Sequence, residues 1–68
     1  MRDWQSVYQD SSEQRAEIVR AILADMDMNP VVLNKQDSAY RFGSFEVLVS
    51  PDYVLKALKV INDEIKFG

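Results

Sequence analysis

Apolar and polar positions change period along this chain, and each change marks an element. Trp4-Gln5-Ser6-Val7-Tyr8-Gln9 alternates large or apolar residues with polar ones. It is rich in strand formers and predicts a first strand. Trp4, Ser6 and Tyr8 share one face of it, and Gln5, Val7 and Gln9 the other. Two readings of those faces are open. In one, Trp4 and Tyr8 join Val32 and Leu48 on the sheet face without helices. In the other, the strand is turned over and both aromatics belong to the helix-side core. A one-residue shift interchanges the two.

From Asp10 the period lengthens. Asp10 with Glu13, or Ser11 with Gln14, has capping-box spacing. Ala16, Val19, Ile22, Leu23 and Met26 then recur at helical spacing. Asp27 is expected just past this first helix in a left-handed conformation, with Met28 folding back on Leu23. Asn29-Pro30 predicts an extended entry to the next strand.

Val31-Val32-Leu33 predicts the second strand, with Lys35 as its furthest extent. The polar run Asn34 to Gly43 predicts a long hairpin connection, Gly43 supplying a positive φ where the chain turns back. Phe45, Val47 and Val49 form one apolar face of a third strand, with Glu46, Leu48 and Ser50 on the other. Apolar residues on both faces suit a central strand. Ser50-Pro51-Asp52 starts a second helix, with an N-cap serine and proline at the first helical position. Its predicted stripe is Val54, Ala57, Leu58, Ile61 and Ile65.

The order β-α-β-β-α predicts an α+β domain over residues 1–68. Strand one should run parallel to strand two by a right-handed crossover, with strand three antiparallel between them. Two helices then cover one face of a three-stranded sheet in the order one-three-two. That is a split β-α-β, a ferredoxin-like fold without its last strand. Val19, Ile22, Leu23, Leu33, Val47, Val49, Leu58 and Ile61 are the expected core.

Composition narrows the function. A chain of 68 residues buries only ~60% of the surface its unfolded form exposes. With no cysteine and no histidine, disulfides, thiolate metal sites and the commonest general base are excluded. A partner subunit is the remaining aid to stability. Eight basic against eleven acidic residues give a net charge of -3, which argues against a nucleic-acid partner. No run approaches a membrane span, and no apolar signal core follows Met1-Arg2-Asp3-Trp4. The expectation is a cytoplasmic protein without a membrane partner.

Several stretches coincide with a known pattern. They are Trp4 with Val7-Tyr8, Ala16-Glu17-Ile18-Val19, the run Val31 to Tyr40 continuing to Gly43, and Val49-Ser50-Pro51-Asp52. Together they resemble a family of small bacterial domains known as prokaryotic signal-transducing proteins. The resemblance spans nearly the whole chain, and Asn34-Lys35-x-Asp37-Ser38-x-Tyr40 is its most specific part. The family is similar in fold to the PII-type nitrogen regulators, which act by protein contacts. The resemblance implies signalling, with the connection between strands two and three in the place of the PII partner loop. The chain departs from these patterns at Asp27, where the family usually carries glycine. Its connection is shorter than a PII loop, and it lacks the later strand with its nucleotide-holding residues. ATP binding is not carried over, and no cofactor is expected.

The candidate binding residues are Asn34, Lys35, Asp37, Ser38 and Tyr40. Two readings of them stand side by side. One is a recognition loop on a rigid hairpin. The other is turn chemistry, with Asp37 or Ser38 closing an Asx- or Ser-turn. Trp4 and Tyr8 are the candidate interface. No residue set has the form of a catalytic or metal site, and an enzyme is not expected. The leading expectation is a regulatory or protein-interaction module that binds another protein or itself as a homo-oligomer. The alternative is a sensor holding a small metabolite between the connection and a neighbouring subunit.

Overall fold

The computed structural model describes residues 3–36 and 43–65. The elements are β1 (Gln5–Asp10), α1 (Glu13–Ala24), β2 (Val31–Gln36), β3 (Gly43–Val49), a 3-10 turn (Pro51–Tyr53) and α2 (Val54–Glu64). The sheet order is β1-β3-β2. Both neighbours of β3 pair with it antiparallel. β1 and β2 therefore run parallel with β3 between them, the expected split β-α-β of a ferredoxin-like α+β domain.

Val47 and Val49 of β3 form one buried cluster with Ala16, Val19 and Leu23 of α1 and Ala57 of α2. Alternation along β3 puts Val47 and Val49 on one face and Glu46 and Leu48 on the other. Both helices thus cover the same face. Two of their innermost residues are alanines, Ala16 and Ala57. A small side chain lets a helix axis approach the sheet closely.

Four of the eight expected core residues, Val19, Leu23, Val47 and Val49, are fully buried, and Ile22 and Ile61 are half-buried. Leu33 and Leu58 are corrections, at 39% and 44% exposed. Leu33 stands opposite Glu46, on the face without helices, whereas Val32 stands opposite Val47 and packs against the core. In α2 the line toward the sheet runs through Val54, Ala57, Ile61 and Ile65, with Val60 beside it. Leu58 sits one position off that line. Val7 and Met28 complete the buried set.

The faces of β1 follow neither reading of strict alternation. Ser6 pairs with Leu48, yet Tyr8 pairs with Val47, and a bulge lies between. A bulge sets two residues opposite one and breaks the period of two. Val7 enters the core and Tyr8 packs against it. Tyr8 therefore belongs to the helix side, whereas Ser6, opposite Leu48, stays on the side away from the helices.

The N-cap of α1 is Ser12, whose Oγ accepts the Arg15 N–H at 3.3 Å. The expected caps at Asp10 or Ser11 are displaced because Asp10 takes another role. Its Oδ1 accepts the Ser12 N–H at 2.9 Å. At the other end, Asp27 has φ 62, as expected. The Met28 N–H bonds the Leu23 carbonyl at 3.3 Å and the Asp27 N–H bonds the Ala24 carbonyl at 3.0 Å. These are the paired bonds of a Schellman motif, and buried Met28 and Leu23 make its apolar contact. Asn29 also has positive φ, 50, so the chain enters β2 through a left-handed residue rather than an extended one. Asparagine tolerates that region better than most residues. Before α2, Ser50 is extended without a side-chain cap bond, and Pro51 begins a 3-10 turn rather than the α-helix itself.

Two predictions follow from this packing. Leu23→Ala should cost roughly 2–5 kcal/mol, whereas Leu58→Ala, half in water, should cost under about 1 kcal/mol. Urea midpoints compare them, and equal losses would contradict the placement. Asp27→Gly should raise stability by about 0.5–1 kcal/mol, since glycine adopts the left-handed position without a Cβ clash. A lower melting temperature for that variant would count against the C-terminal motif.

Candidate functional site

The candidate residues divide by strand geometry. Asn34 and Lys35 lie inside β2, because the ladder continues to Gln36 opposite Gly43. The strand is longer than the apolar run alone predicts. Asn34 pairs with Phe45, and Lys35 pairs with Ser44. Successive residues of a strand point to opposite faces, so Asn34 and Lys35 do not converge on one ligand. Asp37, Ser38 and Tyr40 lie outside the described residues. The ladder brings their two ends together at Gln36 and Gly43.

Lys35 has a defined partner. Its Nζ lies 2.8 Å from Glu46 Oε2. Glu46 is the one charged residue buried among those described, at 8% exposure. It stands on the central strand, between Gln9 and Leu33. Lys35 extends its chain over this face while the amine stays near water. The lysine amine first, and then the Ser6 hydroxyl, hold the Glu46 carboxyl below its ordinary range, against the opposing effect of burial. The Ser6 Oγ also lies 3.4 Å from the Tyr8 carbonyl oxygen. Beside this pair the Gln9 Nε2 donates to Ser44 Oγ at 2.6 Å. Among the described residues no buried side-chain N or O atom lacks a partner. The face without helices thus carries a joined polar row across all three strands, bordered by Val31, Leu33 and Leu48.

Tyr8 is held from the other side. Its hydroxyl donates to Asp10 Oδ2 at 2.6 Å. Arg15 Nη1 lies 3.9 Å from the same oxygen. Burial first, and then the bond to Asp10, push the Tyr8 hydroxyl up to about 12. Asp10 moves the other way, below its ordinary range, because it accepts from Tyr8 and then from the Ser12 N–H. The hydroxyl, the carboxylate and the first turn of α1 form one lock between β1 and the helix. Trp4, just ahead of β1, is half-buried and lies outside the core cluster.

Sequence reasoning singled out Lys35 but missed its partner Glu46. The signal was present: one acid in the otherwise apolar run Phe45 to Val49, with a lysine on the adjoining strand. Among the described residues no group of three or more acids could hold a metal ion. No helix among them is long and apolar enough to cross a membrane. Comparison of the chain with protein-family models, curated proteins and solved structures found no match.

The two perturbed sites predict opposite pH limits. Glu46 and Asp10 have folded values depressed below 4.5 and 3.8. Their contribution is present above those unfolded values and is lost as pH falls through the folded ones. Glu46→Gln should therefore flatten the acid limb of a stability–pH curve measured by urea midpoints. An unchanged limb would show that the Lys35 pair is not formed. Tyr8 is raised from 10.0 to about 12, so its contribution is complete below pH 10.0 and disappears as pH rises toward 12. Tyrosinate absorbance should show a late-titrating component that Tyr8→Phe removes. A wild-type titration that this substitution leaves unchanged at its alkaline end would contradict the Tyr8–Asp10 bond.

Proposed function

We propose that the domain is a small regulatory module that recognises another protein through the connection between β2 and β3. The observation that carries this reading is a division of labour at the hairpin. Lys35 is committed to Glu46, and the ladder is paired to its last residues, Gln36 and Gly43. The residues between them, 37–42, include Asp37, Ser38, Tyr40 and Arg41. Polar, aromatic and cationic side chains on a connection set on a rigid pair of strands suit partner binding. The resemblance to prokaryotic signal-transducing domains is centred on the same run and agrees in kind. Cytoplasmic signalling by protein contact, without a nucleotide, is the role that follows.

The expected recognition residues are Asp37, Ser38 and Tyr40. Lys35 acts as a strut that fixes the end of β2, and Asn34 borders the site from the other face. On this reading Asp37→Ala and Tyr40→Ala should leave the melting temperature nearly unchanged, the stability loss staying within about 0.5 kcal/mol. They should weaken binding to a partner captured and identified from the host by tenfold or more. Lys35→Ala should instead lower stability by roughly 1 kcal/mol, because it leaves the Glu46 carboxylate without its counter-charge. If the Asp37 and Tyr40 variants lose stability while affinity per folded molecule holds, the connection is a structural turn and the proposal fails. A melting-temperature rise with one metabolite in a ligand screen would favour the sensor reading instead.

A further inference from the structure

The two edges of the sheet differ. β1 forms one edge and β2 the other. β1 carries the bulge between Ser6 and Tyr8, which interrupts any ladder that a further strand could build on it. β2 pairs with β3 from Val31 to Gln36 with no register shift. It is therefore the regular edge, and no described backbone group bonds its outer side. From the sequence alone, the free edge of strand one or the Trp4/Tyr8 face is the expected assembly surface.

We infer that the outer edge of β2 pairs antiparallel with β2 of a second copy, giving a continuous six-stranded sheet about a twofold axis. The choice of a second copy rests on how β2 complements itself. A twofold perpendicular to the sheet keeps the helices of both copies on one side, so opposed residues must share a face. Placing the axis at Leu33 satisfies this rule. Leu33 then meets its symmetry mate, Val32 meets Asn34, and Val31 meets Lys35.

Leu33 is 39% exposed in the single chain, and at the axis two such side chains cover each other. Lys35 is the only charged residue of β2, and each copy's lysine lies beside a valine of the other. No like charges stand opposite each other. A parallel pairing in the same register would set Lys35 against Lys35, which is unfavourable. Pro30 lacks an N–H and bounds the ladder at its start, so the pairing is limited to five positions. An interface this short falls in the class of weak association.

This inference deepens the reading of the domain as an interaction module by giving its self-association a surface. It leaves residues 37–42 unused, so its failure and the failure of the recognition site are read separately. The test is sedentation of the full chain, by analytical ultracentrifugation, as wild type, Leu33→Lys, Leu33→Glu and an equimolar mixture of the two variants. The expected result is a concentration-dependent wild-type dimer. Each variant alone should associate at least tenfold more weakly, because like charges meet at the axis. The mixture should recover the dimer, because lysine then meets glutamate. Hydrogen exchange of the wild type serves as a check that needs no variant: the outward amides of β2 should slow as concentration rises. A wild type that stays monomeric to its solubility limit overturns the proposal. So does a dimer that neither variant weakens, or slowing confined to β1.

Discussion

Burial of Val47 and Val49 on the central strand is the constraint on which the rest of the domain depends. Among the described residues β3 is the strand bonded on both sides, and those two valines are shut from water. Each helix brings an alanine to this cluster, so both can lie close to the same face. A domain this small has little core to spare. The helices are held to the sheet by burial, and alternation along β3 decides which side chains remain outside. Glu46 and Leu48 are outside for that reason alone. Lys35 then follows from Glu46, because a carboxylate this enclosed is costly without a counter-charge.

The bulge in β1 is the second device. It turns both Val7 and Tyr8 toward the helices, where a regular strand would turn only one. The gain is apolar contact on a strand with few apolar residues. The phenolic hydroxyl brought inward needs a partner, and Asp10 supplies it. The same carboxylate accepts the Ser12 N–H and so fixes the start of α1. One local irregularity therefore joins the edge strand, the core and the helix entry. It also leaves the two sheet edges unlike, one interrupted and one regular.

The sheet order and helix placement were legible because β3 is apolar on both faces while its neighbours are not. The left-handed Asp27 was legible from the end of the helical period, and the start of the second helical segment from Ser50-Pro51. The faces of β1 were not legible, since a bulge has no local residue signature here and the period-two argument assumes there is none. Leu33 was misplaced because Val31, Val32 and Leu33 are all apolar, and composition cannot say which two face out. Ser12 was missed as the cap because both neighbouring positions also carry capping residues. The candidate site was legible as a polar run between strands. The pairing of Lys35 with Glu46 was not, because it depends on a residue across the ladder.

β3 presents Val47 and Val49 to both helices and Glu46 and Leu48 away from them. Methyl–methyl nuclear Overhauser contacts test it directly. Val47 and Val49 should show contacts to methyls of Val19, Leu23 or Ala57, and Leu48 should show contacts to Val31 across the open face and none to either helix. Contacts from Leu48 into the helices, with Val47 giving none, would contradict it.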